Sequence, residues 1–527
     1  MLSPLPLVSA PPVAPTMHIA TPSAQVIWAY QSRFQQAAQA IANGIFDTLD
    51  DDLAPEVLIL GIPVAGPNQQ DEDVLSAVCL EPADCGLDFA HFGQVLARGE
   101  EFQLREPWGA YFDREQVMTE EMIKRKQHAI GLRLAVQEVL DRIDSEDKKR
   151  QSFAGIPIQI GGFYVLTVLR LNRKVLRTHP ALTPNRYYTD GRLLASSLGL
   201  AAVLRFHEEC VKSLTEPEPG SGMLLRHRET DELLRAAGKL LMDTPAQALG
   251  ISPATAKLFA TYNTISSLRY EGAEGVGKMY LAKRRHPNLE EVFALTCPTP
   301  LTDYRAVRKL LEMTTGDVSL LADGENVYAL GRPIGHYDPS REDLFVINFV
   351  THYAWEFQHD GKVLMRTTYG NPSLPRARLN RSRFRKDLRR TFELTAPEKV
   401  ERLWDVVLEA SKQKHGTLVV VTTEALAEAD RLKLQCTLIE PVPLTPLITR
   451  LVTSIDGAVL VDPESYCYSI GVILDGKASG RGTSTRGARY NSAIRYVESS
   501  PYPCMAIVVS EDGMVDVITK ESLAEED

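Results

Sequence analysis

No stretch of the chain approaches the roughly 20 consecutive apolar residues that a membrane-crossing helix requires. The longest near-continuous run, Leu193 to Phe206, is shorter and carries serines and a glycine, which suits a buried helix. Cysteine is equally sparse: the seven, Cys79, Cys85, Cys210, Cys297, Cys436, Cys467 and Cys504, are odd in number and never spaced C-x-x-C. That pattern excludes a zinc ribbon and a disulfide framework, and a reducing cytoplasm is the expected location. Basic residues are not in excess either. With 58 Lys and Arg against 68 Asp and Glu, the net charge is −10, so the chain as a whole has no electrostatic reason to coat nucleic acid or an anionic membrane. Any anion site is local, and neither nucleic acid nor a membrane is an expected partner.

What is present is ordinary globular sequence, 44% hydrophobic and 24% charged over 527 residues. That length exceeds one compact core and points to roughly three domains. The proline-rich start, residues 1–17, has no basic segment ahead of its apolar residues and reads as a disordered lead. Residues 18–214 form an N-terminal α/β module: Glu56–Val64 and Phe163–Leu171 are β-rich apolar runs, while Arg114–Ile143 and Arg192–Leu214 have helical spacing. The acidic, Pro- and Gly-rich stretch 215–222 reads as a linker. Residues 223–390 form a middle α+β domain, in which Asp317–Leu321, Val327–Leu330, Leu344–Val350, Tyr353–Phe357 and Lys362–Thr367 read as strands joined by tight turns.

Residues 395–520 are the most legible. Thr395 and Glu398 have capping-box spacing. Val400, Leu403, Trp404, Val407 and Leu408 then form one apolar stripe. Strands are expected at Gly416–Thr422, Ala458–Asp462, Tyr468–Leu474 and Met505–Ser510, with helices near Pro446–Thr453 and Arg489–Glu498. The expected class is α/β, with a central mixed sheet flanked by helices in this last domain.

Polar interruptions between these elements carry the chemistry. Asp456-Gly457-Ala458 joins a carboxylate, which can hold a hard divalent cation, to small residues that admit a flat ligand against the backbone. The segment Gly482–Asn491 is rich in glycine, hydroxyls and arginine and runs into a helix start, presenting N–H groups and guanidinium to phosphate. On pattern alone a plain turn or loop is the commoner reading of each; their order along the chain is what joins them.

That order resembles the diadenylate cyclase domain first known from bacterial DNA-integrity-scanning proteins. The likeness runs from about Pro397 to Ile518: amphipathic helix, G-T-L-V-V-V strand, Asp456-Gly457-Ala458, the G-A-R-Y-N-S-A segment opening a helix, and A-I-V-V-S-E. It implies an enzyme that condenses two ATP into cyclic di-AMP with Mg2+ or Mn2+, in a face-to-face homo-oligomer and behind a sensor region. It assigns Asp456 to the metal and Arg489 to the triphosphate. Gly457 and Ala458 fall near the nucleoside, with Tyr490, Asn491, Ser492, Ser510 and Glu511 as further contacts. Of the family's Arg-His-Arg, Arg489 is kept while Tyr490 and Asn491 fill the other two places, and Ala488 replaces a threonine. Thr483, Ser484, Thr485 and Arg486 lie on the same loop and can supply donors and charge. The resemblance leaves two rivals open, a catalytically silent nucleotide receptor and a scaffold whose last domain only oligomerises.

Three further features have plainer readings. Gly272–Met279 matches G-x-x-x-x-G-K, but Met279 stands where Ser or Thr would reach Mg2+, and a surface loop is expected. The run 376–390, with eight Lys or Arg, reads as a solvated helix or linker. His352 and His359 read as strand and turn histidines rather than metal ligands.

Overall fold

The structure is a computed structural model that describes residues 26–64, 79–82, 85–105, 119–184, 194–222, 228–269, 275–375, 381–413, 416–476, 488–510 and 515–525. The proposed lead, 1–17, lies outside them, as do part of the P-loop-like segment and the start of the basic run. Mixed α/β structure is arranged in three sheets, and the chain divides into two compact units, 1–375 and 376–527.

The first unit opens with α1 (Gln31–Leu49), whose Phe34, Ala37, Ala38, Ile41, Ala42, Ile45 and Phe46 are buried at i, i+3, i+4 spacing. Strands β1 (Glu56–Pro63), β2 (Cys79–Glu81), β3 (Arg150–Ala154), β4 (Ile158–Ile160) and β5 (Phe163–Asn172) form an antiparallel sheet ordered β2-β1-β5-β3, with β4 also on β5. Helices α2 (Val95–Arg105), α3 (Glu120–Asp147) and α4 (Leu198–Leu214) belong to the same unit. Thr215–Gly222 is pinned down: Pro219 accepts the Trp28 indole N–H at 2.9 Å, and a Cβ on Gly220 would lie 2.8 Å from Phe34 Cβ.

Helices α5 (Thr230–Leu249), α6 (Leu258–Ser267) and α7 (Tyr304–Leu311) accompany a second, eight-stranded sheet. It comprises β6 (Gly277–Ala282), β7 (Leu289–Pro300), β8 (Ser319–Ala322), β9 (Asn326–Pro333), β10 (Leu344–Thr351), β11 (Ala354–His359), β12 (Lys362–Thr368) and β13 (Asn371–Ser373). One apolar cluster runs from Phe34 through Tyr262 to Trp355, so both sheets of this unit share a core. Lys278 and Met279 of the P-loop-like sequence lie in strand β6, where a P-loop would require a helix start.

The second unit begins with α8 (Arg381–Phe392), the basic helix, which buries Phe384 and Leu388 while its cations face outward. Helix α9 (Pro397–Ala410) starts at Pro397 behind Ala396, without a side-chain cap. The expected Thr395–Glu398 box is therefore not formed, because Pro at the first position sets the helical φ and has no N–H to cap. Val400, Leu403 and Val407 are buried as the stripe predicts, but Val406 is buried and Leu408 is 40% exposed.

Next come β14 (Thr417–Thr422), α10 (Ala425–Arg431), β15 (Thr437–Pro443), α11 (Pro446–Val452), β16 (Ala458–Val461), β17 (Tyr466–Val472), α12 (Ala488–Ser499), β18 (Cys504–Val509), β19 (Val515–Thr519) and α13 (Lys520–Glu525). The sheet order is β15-β17-β16-β14-β18-β19, and only β14 and β16 are parallel. Strand β14 is wholly buried: Val419 and Val421 face the cluster of α8, α9 and α11, while Leu418 and Val420 face that of α10, α12 and α13. A mixed sheet covered by helices on both faces is thus the fold of this unit. Burial on both faces explains why its strands read as apolar runs rather than alternations.

A buried histidine makes the first unit pH-sensitive. His207 on α4 is fully enclosed, its Nδ1 lies 3.0 Å from Thr167 Oγ1, and burial, helped by the charge of Arg133, pushes its pKa down to about 3 from 6.5. The folded state therefore holds the neutral ring while the unfolded chain protonates below 6.5, so stability is lost as pH falls from 6.5 towards 3. The slope is at most about 1.4 kcal/mol per pH unit. Urea unfolding of the full chain, followed by tryptophan fluorescence at pH 7 and pH 5, should show a lower midpoint at pH 5, and His207→Gln should flatten that dependence.

Candidate functional site

Register places the candidate residues at one end of the last sheet. Leu418 pairs with Ala458, Thr417 with Val509, and Ala458 with Val472. The turn before β16, the end of β18 and the exit of β17 therefore meet beside the first residues of β14. Asp456 and Gly457 occupy that turn, Ser510 follows Val509, and Asp475 follows β17 by three residues.

Gly457 controls how Asp456 is presented. Its φ is +104°, and a Cβ there would lie 2.6 Å from the backbone carbon of Gly471 on β17. No side chain fits between these backbones, and L-residues avoid that dihedral. The turn therefore passes tightly over β17, Ala458 enters the strand fully buried, and the Asp456 side chain is left 90% exposed. Gly471 itself was not anticipated from sequence. The available signal was an isolated glycine inside a strand pattern, which marks close backbone approach.

Arg489 comes from the first turn of α12 and its Nη2 donates to Asp456 Oδ1 at 3.0 Å. The carboxylate and guanidinium singled out in the sequence are thus brought together across 33 residues. As an exposed pair it contributes only ~0–1 kcal/mol to stability, so its interest is chemical. The carboxylate is a hard oxygen donor suited to a divalent cation, and the guanidinium is a planar fork suited to phosphate.

Tyr490, Asn491 and Ser492 continue the same turn and are half-buried, with Tyr490 packed against the apolar cluster under α12. Thr483, Ser484, Thr485, Arg486 and Glu511 lie outside the described residues. Among the described residues no three His, Cys, Asp or Glu side chains are grouped to hold a metal ion. Asp456 offers one exposed carboxylate, which fits a hard cation carrying oxygen ligands of its own, as one bound to phosphates does. A cleft of about 370 Å³ lies nearby, lined by residues including Glu428, Arg431, Asp475, Tyr496 and Tyr502. Neither Asp456 nor Arg489 lines it.

The last unit is thus a mixed sheet covered by helices on both faces, with Asp456 and Arg489 paired at one end of it. Residues 405–523 match the family described as DAC, "DisA bacterial checkpoint controller nucleotide-binding". Residues 27–242 match DACNG and residues 256–361 match DACNH, each described as a probable sensor domain. The chain accordingly carries a DisA-type DAC domain at its C-terminus, preceded by DACNG and DACNH probable sensor domains. Among solved structures, it is similar to a double mutant of DacA from Staphylococcus aureus, at 17% identity over 24% of this chain and 91% of that one, with a TM-score of 0.20. It is also similar to the hypothetical membrane spanning protein from Bacillus cereus, at 23% identity over 25% of this chain and 64% of that one, with a TM-score of 0.20. None of the curated proteins matches the chain. Among the described residues, no helix is long and apolar enough to cross a membrane.

Substituting Gly457 tests the turn. Gly457→Ala must displace the Gly471 backbone and adopt a disfavoured dihedral, a combined loss of about 2 kcal/mol or more. Urea unfolding of the full chain followed at Trp404 should show a lowered midpoint, whereas Asp456→Asn, at an exposed position, should leave it unchanged.

Proposed function

We propose that the chain is a diadenylate cyclase in which residues 395–520 condense two ATP into cyclic di-AMP and pyrophosphate, and in which 18–214 and 223–390 act as sensor modules. The observation that carries this reading is the meeting of Asp456 and Arg489 at the head of β16, on the Asp-Gly-Ala turn of a domain that matches the DAC family. Two such domains facing one another would each hold one ATP. The 3′-hydroxyl of each attacks the α-phosphate of the other: a phosphorus–oxygen bond forms, the bond to pyrophosphate breaks, and the hydroxyl proton is released. A single domain holds only half of the reacting groups, so a homo-oligomer is part of the proposal.

The residues divide the work. Asp456 provides the carboxylate for Mg2+ or Mn2+ and helps remove the hydroxyl proton. When bound, the cation supplies neutralisation of triphosphate charge. Arg489 leaves its carboxylate partner to grip phosphate, aided by Arg486 and the hydroxyls of Thr483, Ser484 and Thr485 on the preceding loop. Gly457, without a side chain, would offer a flat surface to the nucleoside; Ala458 is fully buried in β16 and would support that surface from beneath, with Asn491, Ser492, Ser510 and Glu511 as flanking polar contacts. Acceleration in such chemistry comes mostly from positioning and electrostatics, which this arrangement can provide without a covalent intermediate.

One observation favours the receptor reading. Tyr490, in the place of the family's histidine, turns its ring towards the apolar cluster, so the first turn of α12 carries one guanidinium where the family has three basic groups. Incubating the purified full chain with ATP and Mg2+ or Mn2+ separates the two. The cyclase reading expects cyclic di-AMP by chromatography and a loss of about a hundredfold or more on Asp456→Asn. ATP binding with no product in either metal would replace it with the receptor.

A further inference from the structure

A second ionic cluster ties together the two walls of the Asp456–Arg489 site. Glu428 on α10, with only 1% of its side chain exposed, accepts Nε and Nη2 of Arg431 at 2.9 and 2.8 Å and the Tyr496 hydroxyl at 2.8 Å. Arg431 also grips Asp475, at the exit of β17, through Nη1 and Nη2 at 2.6 and 2.9 Å. Three separate segments, α10, the β17 exit and α12, are thus tied through the Glu428–Arg431 pair, Asp475 on the guanidinium and Tyr496 on the carboxylate.

Each contact bears on the site. Strand β17 holds Gly471, over which the Asp456-Gly457 turn is folded. Its exit passes so close to α12 that a Cβ on Gly476 would lie 2.7 Å from the Arg495 backbone carbonyl. On α12, Tyr496 follows Arg489 by seven residues, which is two helical turns and the same face. Ala493, between them, is fully buried. The hydrogen bond at Tyr496 adds a directional restraint to the packing of Ala493, Ile494 and Val497 that seats α12, and the direction of Arg489 depends on how that helix is seated. Burial and the carboxylate of Glu428 raise the Tyr496 pKa, so the phenol keeps its proton and remains the donor.

Resting on the reading of Asp456 and Arg489 as a nucleotide site, we propose that Tyr496, with the Glu428–Arg431–Asp475 cluster, is a positioning residue that holds Arg489 in register for the triphosphate. It touches no substrate; it acts through Arg489. A purely structural cluster would stabilise the domain whatever stood at position 489, whereas a positioning cluster matters only while Arg489 is there.

A double-mutant cycle on ATP affinity makes that distinction. Arg431 is a poor target because its loss strands a buried carboxylate, but Tyr496→Phe leaves both Arg431 bonds to Glu428 in place. Asp475→Asn, at a half-exposed position, is the second variant should Tyr496→Phe not fold. Titration of full-length protein with ATP and Mg2+ should show either variant weakening binding about three- to tenfold in the parent and not at all in an Arg489→Ala background. Unchanged affinity in the parent, or the same loss in both backgrounds, overturns the proposal. ATP binding without cyclic di-AMP removes the cyclase reading while the cycle still decides this one. Product formation with additive losses removes only this one, and a wild-type chain that binds no ATP removes both.

Discussion

The contact on which the site depends is the approach of two backbones, Gly457 over Gly471. Where the carbons come this close there is no space for a side chain, and the turn must adopt a dihedral that glycine alone takes readily. Everything polar nearby inherits its position from that contact. The preceding residue is turned outward with an exposed carboxylate, and the following one is swallowed into a parallel strand. Strand β17 takes a positive φ of its own at Gly471, and its pairing with β16 is irregular. A regular ladder continued to the end would have had no such turn, and the carboxylate would have had no fixed direction.

The two ion pairs at this end of the sheet differ in kind. The Asp456–Arg489 pair joins a half-buried guanidinium to a carboxylate that is 90% exposed, so water screens its attraction and Asp456 can exchange partners readily. The Glu428–Arg431 pair is built on a carboxylate withdrawn from solvent, where losing the partner is costly because the stranded charge has nowhere to turn. Exchangeable groups are what a binding site needs and fixed groups are what a frame needs, and the domain places one of each kind on opposite ends of the same face of α12.

Much of the last domain was readable because burial on both faces leaves strong marks. Thr417–Thr422 and Cys504–Val509 are continuous apolar runs, and the order of the polar interruptions around them carried the family resemblance that singled out Asp456 and Arg489. What escaped follows from weaker physics. Strand β15 is an edge strand with two prolines and mostly exposed side chains, so it shows neither alternation nor a run. The capping box failed because Pro397, two residues past Thr395, begins the helix by itself. The Glu428 cluster joins residues 68 positions apart by side chains that any surface helix can carry, and only the fold shows that Glu428 and Tyr496 are buried.

On the proposed reading, the weakness of the exposed pair has a consequence for how ligands enter. Asp456 and Arg489 neutralise each other at 3.0 Å, so a bare cation taking the carboxylate would strand the guanidinium, and a bare triphosphate taking the guanidinium would strand the carboxylate beside its negative charge. A cation already bound to phosphate satisfies both at once, because each half of the pair meets the opposite charge in the same event. On that reading the site takes the metal–nucleotide complex as a unit. It also bears on how a chain of net charge −10 can accept a highly anionic substrate: the divalent cation cancels about half of the triphosphate's charge before the complex reaches the protein, and the guanidinium at the helix start meets part of what remains.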